Sequence, residues 1–157
     1  MSLTEISQAE TEQQYLKHNA MLMLMIGITF LLDASYRLFF GGRLGDWFVV
    51  LFGLLAMLVL AVGVVSMAKS LRYSRRAMFW TNRFNDEWLA HLNMKGYRYA
   101  GHSLMALLFI TFLLNRFGGI DQWLASLDLA SFSTLLLSVG AIAYSLPVLL
   151  GLRGADE

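Results

Sequence analysis

The sequence predicts an all-α polytopic membrane protein. The expected fold is a bundle of four transmembrane helices, made of two similar helical hairpins, with helices two and three extended into the cytoplasm. Three observations carry this. First, 57% of the 157 residues are apolar and only 15% are charged, with a mean hydropathy of +0.57, whereas soluble domains carry about 25% charge. Second, four apolar stretches approach the roughly 20 residues that cross a bilayer as a helix. Third, basic residues crowd into one connection between them. Disorder and a collagen are excluded by the same composition. The chain has no cysteine, so disulfides, thiolate metal sites and Cys nucleophiles are excluded too. A net charge of +1 gives no footprint for nucleic acid.

Residues 1–18 read as a cytoplasmic N-terminal helix, whose acids Glu5, Glu10 and Glu12 either pair with basic residues of the central hairpin or are solvated. The first span follows at 20–40. Its flank is acidic and no small-x-small site follows, so it reads as a retained helix and not a cleaved signal peptide. The second span is 47–68, the third 100–117 and the fourth 132–152. Unbroken apolar runs, without the alternation of barrel strands, make these helices.

Between spans two and three lies the hairpin 69–99. It holds Lys69, Arg72, Arg75, Arg76, Arg83, Lys95 and Arg98, seven of the twelve Lys and Arg. By the positive-inside rule this loop is cytoplasmic, and four spans then put both termini there as well. The expected location is the plasma membrane (the inner membrane in a bacterial cell). Lys69–Asn82 contains no Gly or Pro and can continue span two as helix. A turn is expected at Asn82–Asn85, with Asn85 or Asp86 capping a helix that runs through Trp88, Leu89, Leu92 and Met94 into span three. Gly96 and Gly101 weaken that helix without forbidding it.

The halves resemble each other. Leu22–Asp33 reads LMLMIGITFLLD and Leu104–Asn115 reads LMALLFITFLLN, identical at seven of the first eleven positions. Either this is chance between apolar segments or the chain is a duplicated hairpin, with spans one and three diagonal in the bundle.

The polar residues inside the spans are the candidate site. Asp33 lies two-thirds of the way through span one, and an ionisable residue there is costly. Arg37 follows one turn later, and the repeat sets Asn115 and Arg116 opposite. These four residues form either a solute or ion contact near the outer mouth or a neutralised group that locks helix register. Thr134, Ser138, Ala141 and Ser145 share one face of span four, a packing face or a pore lining, and Pro147 should bend that helix near its cytoplasmic end. His18 and His102 lie at similar depth and could in geometry bracket a haem iron. Membrane interfaces accept histidine readily, so the expectation is no metal and no cofactor. The nine methionines spread round their helices and suit packing better than copper.

Arg72, Arg75, Arg76, Trp80, Arg83 and Trp88, interleaved with Tyr73, Tyr97 and Tyr99, make a basic-aromatic cytoplasmic surface suited to a partner or to anionic lipid. No phosphate-binding glycine loop, HExxH or nucleophile elbow is present. The expected function is therefore non-enzymatic, an accessory subunit or scaffold that presents the hairpin. The alternative is a small homo-oligomeric transporter or channel using the Asp33/Arg37/Asn115 cluster. The expected partners are the lipid bilayer and another membrane protein or a second copy, with no nucleic acid.

Overall fold

The computed structural model describes residues 8–40, 50–51, 53–55, 57–59, 61–63, 65, 84–117 and 129–154. The described residues are all helix, apart from short turns, and contain no strand. Three helices are long and apolar enough to cross a membrane. We label them α1 (Gln8–Phe40), α2 (Glu87–Phe117) and α3 (Leu129–Arg153).

Helix α1 has 33 residues and joins the expected N-terminal helix to the first span without a break. No Gly or Pro interrupts it before Gly27. At 1.5 Å per residue it is about 50 Å long, longer than the roughly 30 Å hydrocarbon core that one crossing spans.

Helix α2 starts where the capping signal placed it. The Leu89 amide donates to Asp86 Oδ1 at 3.0 Å, and the Ala90 amide donates to the Asp86 carbonyl at 3.0 Å. Asp86 is therefore the N-cap, closing an orphan amide and meeting the positive end of the helix dipole. The helix passes through Gly96 and Gly101 unbroken for 31 residues, so the second arm of the hairpin and the third span are one rod. Glu87 in its first turn and Arg116 in its last both complement the dipole.

Helix α3 begins at Leu129, three residues before the expected span, and contains Pro147. Its last turn closes with the Gly154 amide donating to the Leu150 carbonyl. In the expected second span, 47–68, every described residue from 50 to 65 is helical. Gly63 there lies against the Leu22 side chain of α1. The rest of that span and the first arm of the hairpin lie outside the described residues.

Helix α3 packs on both α1 and α2, which barely touch each other. It runs antiparallel to both. Gly27 of α1 meets Ser138 and Ile142, while Gly96 of α2 meets Tyr144 and Val148 and Leu104 meets Gly140. The buried cluster of Leu16, Ala20, Leu89, Leu92, Tyr144, Val148 and Leu152 sits at one end, where α1 and α2 are in their early turns and α3 is in its last. Toward the other end α1 and α3 stay packed, with Ala34, Tyr36 and Ser131 buried, while α2 is exposed. None of residues 97–114 in α2 is buried, and Met105, Phe109 and Phe112 are each more than 60% exposed. Apolar side chains cluster by the hydrophobic effect only where water competes for them. In lipid no such drive exists between helices, and close packing of small residues takes over.

Candidate functional site

The polar side chains that the fold brings together lie at the closely packed end, in two layers. The outer layer is centred on Glu12. This residue is only 2% exposed, because α1 lays its second turn against the start of α2. One carboxylate oxygen accepts from the backbone amides of Asn85 (3.0 Å) and Asp86 (3.2 Å), and the other accepts from Asn85 Nδ2 (2.9 Å). Charge-assisted bonds of this kind are the stronger ones. Together with Asp86, Glu12 places a second carboxylate at the N-terminal end of α2, where the dipole favours negative charge. Tyr15 and Phe84 pack beside it with ring centroids 6.3 Å apart.

The inner layer is centred on Tyr144. Its hydroxyl donates to Asn93 Oδ1 at 2.7 Å and accepts from Asn19 Nδ2 at 3.3 Å. One phenol thus bridges α1, α2 and α3. Tyr144 and Asn93 are buried at 5% and 3% exposure, and a buried phenol or amide needs such partners. The Tyr97 ring leans on the Tyr144 ring with centroids 5.0 Å apart. Gly96 makes room for the Tyr144 ring, since a Cβ there would lie 2.8 Å from it.

The stripe on α3 is a packing face. Ser138 and Ser145 are fully buried, and their hydroxyls donate to carbonyls of their own helix, Leu135 and Ala141. Thr134 does the same to Ser131. The stripe meets α1 at Gly27, where a Cβ would lie 3.1 Å from both the Ser138 carbonyl oxygen and the Ile142 amide nitrogen. This is the close backbone approach that small residues permit in lipid.

Of the expected outer cluster, Asp33 is half-buried on α1 and Arg116 is exposed in the last turn of α2. The side chains of Arg37 and Asn115 lie outside the described residues. On the expected cytoplasmic surface, Trp88 is 43% exposed, while Arg72, Arg75, Arg76, Trp80 and Arg83 lie outside the described residues. His18 and His102 are both exposed, and His18 Nδ1 lies 2.7 Å from the Gln14 carbonyl. Among the described residues no group of three or more His, Asp or Glu converges as a metal site would require.

Sequence reasoning missed Asn19, Asn93 and Tyr144, and assigned Glu12 to arginine pairing or solvent. The signal was present: a tyrosine inside an apolar span must find a partner for its hydroxyl, and each of the other two helices carries an asparagine in its first half, Asn19 and Asn93. The arrangement ties the helices together, Tyr144 joining all three and Glu12 joining α1 to the entry of α2. The chain matches no protein-family model, no curated protein and no solved structure with which it was compared.

Proposed function

We propose that the chain is a small integral membrane protein that acts by association, as an accessory subunit or scaffold, and that it is not an enzyme. The observation that carries this reading is the contrast between the two ends. At the packed end the buried Glu12, Asn93 and Tyr144 hydrogen-bond to other segments of the chain, while the later turns of α2 present an apolar surface, including Met105, Phe109 and Phe112, that the other described residues leave exposed. A rod anchored at one end, with Met105, Phe109 and Phe112 exposed toward the other, suits insertion beside another membrane protein. In this reading the bundle has four spans, the expected 47–68 supplying the fourth. The hairpin 69–99 and both termini are cytoplasmic, and the membrane is the plasma membrane, or inner membrane in bacteria. Arg72, Arg75, Arg76, Trp80, Arg83 and Trp88 form the surface that a partner or anionic lipid meets.

The test is purification in mild detergent, followed by size exclusion and mass spectrometry of the peak. A stoichiometric second membrane protein that is lost from a Phe109→Ser, Phe112→Ser double variant supports the reading. A homo-oligomer with no second protein contradicts the accessory role.

The second reading, a homo-oligomeric transporter or channel, draws on Asp33, which is half-buried within α1 where an ionisable side chain is costly to keep. Under that reading Asp33→Asn abolishes flux in reconstituted vesicles. Under the association reading the same variant changes only yield or stability.

A further inference from the structure

Helix α3 has a second concave side, away from the Tyr144 bridge, where a groove of about 750 Å³ runs between it and α2. From α2 the groove is lined by Lys95, Tyr99 and Ser103, at spacings of four that put all three on one face. From α3 it is lined by Ile142, Ala143, Leu146 and Pro147, with Leu31 of α1 at the far end. Polarity is graded along it. Lys95 is exposed and shares the groove with Leu150 and Gly151, two to three residues before the end of α3, which is the level at which an apolar span meets headgroups. Ser103 lies eight residues deeper, about 12 Å along the helix. Beyond it the walls are aliphatic. Pro147 adds a polar feature at mid-groove. Having no amide hydrogen, it leaves the carbonyl of Ala143 without its helical donor.

We propose that this groove holds one anionic phospholipid, with its phosphate at the Lys95 ammonium, its glycerol region beside Tyr99, Ser103 and the Ala143 carbonyl, and an acyl chain along Ile142, Leu146 and Leu31. The occupant follows from the order of the chemistry: a cation at the membrane surface, hydrogen-bonding groups below it, and hydrocarbon below them. A second apolar helix would cover the aliphatic walls without supplying an anion to Lys95, and a free phosphate would leave those walls uncovered. A zwitterionic lipid carries its own cation to the level of Lys95 and gains less.

The full chain, reconstituted in nanodiscs of equimolar phosphatidylglycerol and phosphatidylcholine, should retain phosphatidylglycerol preferentially when released for native mass spectrometry. Lys95→Gln should lower the ratio of retained phosphatidylglycerol to phosphatidylcholine about fivefold, the factor that one cation near an anionic surface contributes, and Lys95→Arg should restore it. Leu146→Trp, at an exposed position, should fill the groove and lower retention of both lipids. Lys17→Gln removes an exposed cation of α1 that does not line the groove, and should leave the ratio unchanged. The proposal is overturned by equal retention of both lipids in the parent chain, by an unaltered ratio in Lys95→Gln, by unaltered retention in Leu146→Trp, or by an equal fall in Lys17→Gln.

Discussion

Glu12 accepts three hydrogen bonds across a gap of more than seventy residues, and removing it strands two backbone amides and a side-chain amide at the entry to α2. Asn85 is exposed and Asp86 half-buried, so water can take over part of what is lost, and the cost is that of three charge-assisted bonds and not of buried orphan donors. Glu12→Ala should therefore destabilise the protein by about 2 kcal/mol, read as a lowered melting temperature in detergent. Asp86→Ala removes a single local cap and should cost about 1 kcal/mol. An equal effect from the two would mean that Glu12 does no more than a local cap. Tyr144→Phe keeps the ring against Tyr97 and Gly96 but leaves the amides of Asn19 and Asn93 without their shared partner. Its expected cost is about 1–2 kcal/mol, and amide exchange should quicken in the early turns of both α1 and α2, since the phenol holds both.

At the scale of elements, two glycines separate packing from composition. Gly27 faces backbone atoms of α3, which cannot move without moving the helix, whereas Gly101 of α2 has nothing within 4 Å of a built Cβ. Gly27→Leu should push α1 off α3 and lower the melting temperature by several degrees or prevent accumulation, because overpacking against a rigid wall typically costs about 1–3 kcal/mol or more. Gly101→Ala should leave stability unchanged or raise it by up to about 1 kcal/mol through helix propensity alone. The reverse order would refute the packing of α1 on α3 at Gly27. The same contrast bears on the repeated Ile-Thr-Phe-Leu-Leu stretches. Thr29 in α1 is buried, while Thr111 in α2 is half-buried and Phe112 beside it is exposed. Ile28, Leu31 and Leu32 of the first stretch are exposed as well, so the two segments differ mainly at the threonine, which is buried in α1 and half-buried in α2.

For the molecule as a whole, the parts that were legible in the sequence were those decided locally. The apolar runs gave the three membrane-length helices. The Asn85–Asp86 pair gave the start of α2, because an N-cap acts on amides two and three residues away. The small-residue spacing gave the packing face of α3, because a helix repeats every 3.6 residues wherever it lies. What was not legible depends on register between segments far apart in the chain. Nothing near Tyr144 announces that Asn19 and Asn93 stand at its level, and nothing near Glu12 announces that α1 continues far enough to reach Asn85. Glu12 was expected either to pair with basic residues of the hairpin or to be solvated. Its burial rules out the solvated alternative, Arg72, Arg75, Arg76 and Arg83 lie outside the described residues, and the amides at the start of α2 are partners that charge patterning does not reveal.

The central claim is a membrane-spanning chain whose packed end, with Glu12, Asn85 and Tyr144, lies on the cytoplasmic side. The absence of native cysteine makes it directly testable, because any single introduced cysteine reports alone. Three variants, Ser70→Cys, Asp46→Cys and Asp121→Cys, are treated in intact cells with a membrane-impermeant maleimide. The account predicts that Asp46→Cys and Asp121→Cys are labelled from outside, while Ser70→Cys is labelled only after the membrane is opened. Labelling of Ser70→Cys in intact cells, or the appearance of Ser70→Cys and Asp121→Cys on the same side, would contradict it.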